Sequence, residues 1–257
     1  EVSVAPDHSK TVYLVRKANF KRQSWEKKIF LFDHEKQTSI AFVEDLEKIQ
    51  RLSWSQNSES IWFLAKGDQH LALWKKSIQS ERAEKIYEPS DDMESYAVSP
   101  DETKLAYIAK LPSGKKYLPA KAYKIVEPKG LWIKKLKSSD ASHLVTTEQM
   151  CVGFRDEGGL SWAPDSGLVA FSYMPLDKEN SYPERWVSHL ALADSALLSC
   201  KDLVKEDSMN REPFYSHDGK WIAFTSNASS LKRKESKQFF FAEVQIISSD
   251  GKKRKKL

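Results

Sequence analysis

The stretch Tyr215-Ser216-His217-Asp218-Gly219-Lys220-Trp221-Ile222-Ala223-Phe224 sets a turn signal directly in front of an apolar, aromatic run. The same phrase occurs four more times. Ala5-Pro6-Asp7-His8 precedes Thr11-Val12-Tyr13-Leu14-Val15, and Trp54-Ser55-Gln56-Asn57 precedes Ser60-Ile61-Trp62-Phe63-Leu64. Ser99-Pro100-Asp101-Glu102 precedes Lys104-Leu105-Ala106-Tyr107-Ile108, and Trp162-Ala163-Pro164-Asp165 precedes Leu168-Val169-Ala170-Phe171. Pro presets φ for the second position of a type I turn. Asp or Asn follows, with a side chain that reaches nearby amides, and then a residue that tolerates the left-handed region. Such a turn joins two short strands, and the run behind it has the β-branched and aromatic content of a buried strand.

The Pro position falls at residues 6, 56, 100, 164 and 217, giving spacings of 50, 44, 64 and 53. Those are blade-like periods. The long third interval fits a loop insertion over residues 111–123 rather than a hidden blade. A third apolar stretch follows each phrase, at residues 28–33, 70–74, 130–133, 187–192 and 244–247, and weaker fourth stretches stand at 83–87 and 142–145. Asp250-Gly251 supplies one further turn. Four antiparallel strands per unit, repeated, predict an all-β fold: a β-propeller of five recognisable four-stranded blades, as one domain over residues 1–257. The blades run over residues 1–47, 48–90, 91–147, 148–207 and 208–257. A solenoid or sandwich fits the near-constant period less well.

Composition excludes several classes. Of 257 residues, 40% are hydrophobic, and no apolar run approaches the roughly 20 residues of a membrane-spanning helix. Two Cys rule out a disulfide scaffold or a multi-Cys zinc module. The net charge of +5 is concentrated at one end: residues 232–257 hold nine Lys/Arg against three Asp/Glu. This basic tail lacks an interleaved aromatic platform, so it reads as solvated and not as a nucleic-acid site.

The repeats resemble the TolB-type propeller phrase, aromatic-Ser-Pro-Asp-Gly-x-x-Ile-Ala-Phe. Residues 215–224 match it almost throughout, and residues 162–171 and 99–107 match it well. The first copy departs at Ala5 and His8, the second at Gln56 and Asn57. Val12-Tyr13-Leu14-Val15-Arg16 with Ile29-Phe30-Leu31-Phe32-Asp33, and Gly130-Leu131-Trp132-Ile133-Lys134-Lys135-Leu136, are similar to the N-terminal propeller of prolyl oligopeptidase family proteins, the acylaminoacyl and dipeptidyl peptidases. The resemblance implies a non-catalytic module that gates and contacts peptide substrate, with an α/β-hydrolase domain as its partner. The alternative is a stand-alone TolB-like module that binds a peptide or protein ligand. TolB is periplasmic, which tilts the expected compartment toward a bacterial periplasm over the cytoplasm. No leader is visible before Glu1.

No catalytic constellation stands out. Gly159-Leu160-Ser161-Trp162-Ala163 approaches the serine-hydrolase elbow but ends in Ala and runs into a hairpin instead of a helix. The six His form no metal-ligand pair, the Gly-Lys pairs lack the rest of a phosphate loop, and no cofactor or metal site is expected. Asn227-Ala228-Ser229 is a sequon. The residues expected to face a ligand are Trp54 and Trp162, at the ends of first strands, and Asp156 and Glu157, the one carboxylate pair near the start of a first strand. That pair would also suit a propeller glycosidase, the least favoured reading. Because strand edges need cover, the five blades are expected to be an arc that further blades complete.

Overall fold

The computed structural model describes residues 1–20, 23–111, 128–153, 159–176, 187–227 and 242–257. The loop insertion expected at residues 111–123 falls almost wholly outside them, between strands that end at Lys110 and begin at Lys129. Among the described residues every regular element is a strand. The chain divides into two compact units, Glu1–Met93 and Glu94–Leu257.

The first unit holds two four-stranded antiparallel sheets. Sheet one is β1 (Val2–Val4), β2 (Lys10–Asn19), β3 (Ser24–Asp33) and β4 (Thr38–Val43). Sheet two is β5 (Gln50–Trp54), β6 (Ser60–Lys66), β7 (Leu71–Ser77) and β8 (Glu84–Tyr87). Each sheet follows chain order, so every connection is a hairpin. Val12, Ile29, Leu31 and Phe42 of sheet one pack on Leu52, Ile61, Phe63 and Ala65 of sheet two.

The second unit holds three sheets. Sheet three is β9 (Ser95–Val98), β10 (Lys104–Lys110), β11 (Lys129–Lys135) and β12 (His143–Leu144). Sheet four is β13 (Met150–Val152), β14 (Leu160–Trp162), β15 (Leu168–Pro175), β16 (His189–Asp194) and β17 (Ser199–Val204). Sheet five is β18 (Asn210–Tyr215), β19 (Trp221–Ser226), β20 (Glu243–Ser248) and β21 (Arg254–Lys256). One apolar cluster joins sheets three and four through Ile108, Leu131, Phe171 and Trp162. Another joins sheets four and five through Ala170, Leu192, Ile222 and Phe224.

The repeated phrase builds the same turn in all five sheets. In sheet one His8 N–H donates to Ala5 O at 2.9 Å, and Ala5 N–H donates to Lys10 O at 2.9 Å. The same two bonds recur at Ser55/Ser58/Ser60, Ser99/Glu102/Lys104, Ala163/Ser166/Leu168 and Ser216/Gly219/Trp221. The fourth turn residue is left-handed each time, with φ of 60° at His8, 60° at Ser58, 54° at Glu102, 60° at Ser166 and 69° at Gly219. This is a type I turn closed by a left-handed residue, whose twist suits a right-twisted hairpin. Gly219 is the one glycine among the five. A Cβ there would stand 3.3 Å from Pro164 Cδ of the neighbouring sheet, so Gly219→Ala should lower stability by about 1 kcal/mol in urea unfolding.

The turn carboxylates hold these loops by accepting hydrogen bonds. Asp7 takes the Ser9 amide and hydroxyl, Asp218 takes the Ser216 hydroxyl and the Lys220 amide, and Asp250 takes the Ser248 hydroxyl and the Lys252 amide. Each sits below its usual pKa for that reason. Burial opposes the same shift at Asp101, yet hydrogen bonds from Ser99, Thr103 and Ser166 carry its carboxyl down to about 2. A depressed folded-state pKa stabilises above the unfolded value, and that stability is lost as pH falls toward the folded value. Stability should therefore decline between about pH 4 and about pH 2. Asp101→Asn should flatten that decline in chemical unfolding at stepped pH.

Candidate functional site

The first strand of each sheet is an edge strand, and two of these strands carry Trp54 and Trp162. Trp54 ends β5 and donates its indole N–H to Ser3 O of β1 at 2.9 Å. Trp162 ends β14 and donates in the same way to Ala97 O of β9 at 2.9 Å. Both pins join one sheet to the sheet before it. A second bond accompanies each: Asp7 N–H donates to Ser58 Oγ at 3.1 Å, and Asp101 N–H donates to Ser166 Oγ at 3.2 Å. At the junction of sheets four and five Tyr215 and Gly219 occupy these positions. The buried Tyr215 hydroxyl finds no hydrogen-bond partner among the described residues, and burial pushes its pKa up to about 12.

Ser161, the residue at the centre of the elbow-like sequence, is buried in β14. Its Oγ accepts a hydrogen bond from Tyr215 N–H of β18 at 3.0 Å. The hydroxyl is thus part of the junction between sheets four and five.

Asp156 and Glu157 lie outside the described residues. Their anchors are informative all the same. Val152 pairs with Tyr173, and Leu160 pairs with Phe171. Only Ser172 separates those partners on β15, while residues 153–159 separate them on the first strand. In sheets two and five the first strand bulges at the same place, with Arg51 at φ 60° and Glu212 at φ 51°. Gly159, which directly precedes β14, lies against sheet five. A Cβ there would stand 3.1 Å from Glu212 Cα, backbone that cannot give way cheaply. Gly159 therefore lets β14 approach the backbone of β18 closely.

Sequence reasoning missed one polar cluster. Tyr173 donates its hydroxyl to Asp202 Oδ1 at 2.5 Å, and His189 Nδ1 lies 3.2 Å from that hydroxyl. Burial raises the tyrosine pKa and lowers that of the histidine, which favours neutral forms of both. These residues stand on three different strands of sheet four, so no spacing in the sequence announces them. Cys151 lies within β13, at the start of the first strand of sheet four. Its thiol is buried and free, and burial raises its pKa; Cys200, in the outermost strand β17, is also free. Asn227 of the sequon is buried, and its side-chain oxygen accepts from Met209 N–H at 2.7 Å. No group of three or more metal-ligating side chains forms among the described residues, and no helix there is long and apolar enough to cross a membrane.

No family model matches the chain, and no curated protein matches it. Solved structures do. TolB from Acinetobacter baumannii superposes with a TM-score of 0.59 at 13% identity, over 98% of this chain and 52% of that one. The acylaminoacyl peptidase of Pyrococcus horikoshii gives 0.67 at 14% identity, over 97% of this chain and 37% of that one. An oligogalacturonate lyase in complex with manganese gives 0.68 at 16% identity, over 99% of this chain and 63% of that one. At these identities the likeness is one of fold: the chain is a TolB-like β-propeller of five sheets, four-stranded apart from the split first strand of sheet four. It spans about half the length of the first of these relatives and little more than a third of the second.

Proposed function

We propose that this chain is the non-catalytic propeller module of a serine peptidase of the prolyl oligopeptidase type, where it contacts and gates peptide substrate beside an α/β-hydrolase domain. The observation that carries the reading is the position of Ser161. The one serine in an elbow-like sequence is buried and hydrogen-bonded to the Tyr215 amide, while a nucleophile needs an adjacent base and an oxyanion hole. The likeness to the acylaminoacyl peptidase supports the choice of partner, with 63% of that protein's length lying outside the matched part. The stand-alone interaction module is favoured by the likeness to TolB.

The test is genetic and kinetic. The reading frame downstream of Leu257 should encode a Gly-x-Ser-x-Gly segment. In that full protein, Asp156→Ala combined with Glu157→Ala should change KM or the accepted peptide length and leave kcat for a dipeptide substrate within about twofold. A frame without the segment, together with a stable protein partner recovered by the isolated chain, would favour the interaction module instead.

A further inference from the structure

We propose that Tyr173, His189 and Asp202 form an acid-sensitive latch, which ties the outer strand β17 to β15 across β16 at neutral pH and loosens it when His189 gains a second ring proton. The three side chains stand on successive strands of one sheet. Tyr173 of β15 lies directly opposite His189 of β16. Asp202 of β17 lies opposite Ala191, which shares a face with His189. The Tyr173 and His189 rings meet edge to face, with centroids 5.3 Å apart. Both residues are buried, and His189 is the one buried histidine of the six.

Proton counting fixes the state of the ring. A phenol has one proton to give, and an ionised carboxylate only accepts. The Tyr173 proton goes to Asp202 Oδ1 at 2.5 Å. His189 Nδ1, 3.2 Å from the same phenol oxygen, is then the donor in that contact. The neutral ring is therefore the Nδ1–H form, with its lone pair on Nε2. Among the described residues Nε2 has no hydrogen-bond partner.

A second proton lands on Nε2. It makes a cation and an unpartnered donor in a place largely closed to water, and both are costly there. Asp202 and Asp207 favour the cation, and Lys205 opposes it. Asp202 is already engaged by the Tyr173 hydroxyl and by Lys205 Nζ at 3.5 Å. Cys200, on the same face of β17, is held neutral by burial. Sheet three and β13 bring only apolar groups to this cluster, among them Ile133, Val145, Met150 and Val152. Burial outweighs the carboxylates, and the histidine pKa is lowered.

The imidazolium regains water by leaving the Tyr173 oxygen. The Tyr173–Asp202 bond then loses the donor that polarises it. β17 is the strand this loosens. It is outermost and paired on one side only. Its ladder already shifts register between Leu190 and Ala191, and past Asp202 a single further pair, Leu190 with Val204, holds it. A histidine whose folded pKa lies below its unfolded value of about 6.5 leaves stability unchanged above that value and lowers it as pH falls through it. That window stands above the one set by the turn carboxylates.

NMR of the whole chain with isotope-labelled histidine tests the ring, and amide exchange with urea unfolding tests the strand. At about pH 7.5 the His189 proton should sit on Nδ1. Between about pH 7.5 and about pH 5 the folded-to-unfolded ratio should fall severalfold. The amides of residues 199–204 should exchange severalfold faster after correction for the intrinsic effect of pH. His189→Gln keeps a donor for the Tyr173 oxygen and should remove most of the fall. Tyr173→Phe should move the ring proton to Nε2. An Nε2–H ring in the parent, a ring unchanged by Tyr173→Phe, an equal fall in His189→Gln, or exchange at 199–204 indifferent to acid would each overturn the proposal. The ring proton is read on the parent, so a variant that fails to fold leaves the test standing.

Discussion

Replacing Trp162 by Ala is expected to lower the free energy of unfolding by about 3–5 kcal/mol, the range for truncating a buried tryptophan. The side chain lies among Ile108, Leu131, Val169 and Phe171 and donates to Ala97 O across the junction of sheets three and four. Two terms contribute, and a second variant separates them. Trp162→Phe keeps most of the apolar contact and leaves the carbonyl without its donor, so it should cost only about 1–2 kcal/mol. Urea unfolding followed by circular dichroism measures both. Equal losses would mean that the hydrogen bond, and not the packing, dominates. A Trp162→Ala variant that keeps full stability would return the residue to the role of a ligand-lining side chain.

Asn210 should come next in size. It is fully buried at the start of β18, where the chain passes from sheet four to sheet five. Its side-chain amide donates to Ser188 O at 3.1 Å and to Ser208 Oγ at 2.9 Å. Its backbone exchanges a further pair with Ser188, the N–H donating to Oγ at 3.0 Å and the carbonyl accepting from Oγ at 2.8 Å. Asn210→Leu removes the donor to the buried Ser208 Oγ and one of the two donors to Ser188 O, and should cost about 1–3 kcal/mol. Asn210→Asp should do at least as much damage, because a carboxylate would face the Ser188 and Ser208 carbonyls. A change below about 1 kcal/mol in either variant would show that water replaces the amide without penalty.

Much of this fold is legible in the sequence because it rests on local chemistry. The five turn phrases name the five hairpins, and the third apolar stretches fall on β3, β7, β11, β16 and β20. Left-handed backbone at His8, Ser58, Glu102 and Ser166 shows that the phrase works without Gly when the flanking strands enforce the turn. What escaped the sequence is whatever depends on contact between sheets. Trp54 and Trp162 stand out as aromatic residues at strand ends, but only the structure shows that their indole N–H groups reach the preceding sheet. The division of the first strand of sheet four into β13 and β14 was equally hidden. It leaves the ladder at Val152 and rejoins it at Leu160; Gly153 and Gly158-Gly159 flank these points, but glycines alone do not show that both segments pair with β15. The Tyr173, His189 and Asp202 cluster was invisible for the same reason, since three strands must pair before it exists.

That the chain is a module without hydrolytic chemistry of its own is tested most directly by incubating it with fluorogenic peptide and ester substrates, alongside Ser161→Ala. No turnover above buffer is expected from either protein after repurification. Turnover that persists through repurification of the parent and disappears in Ser161→Ala would contradict it.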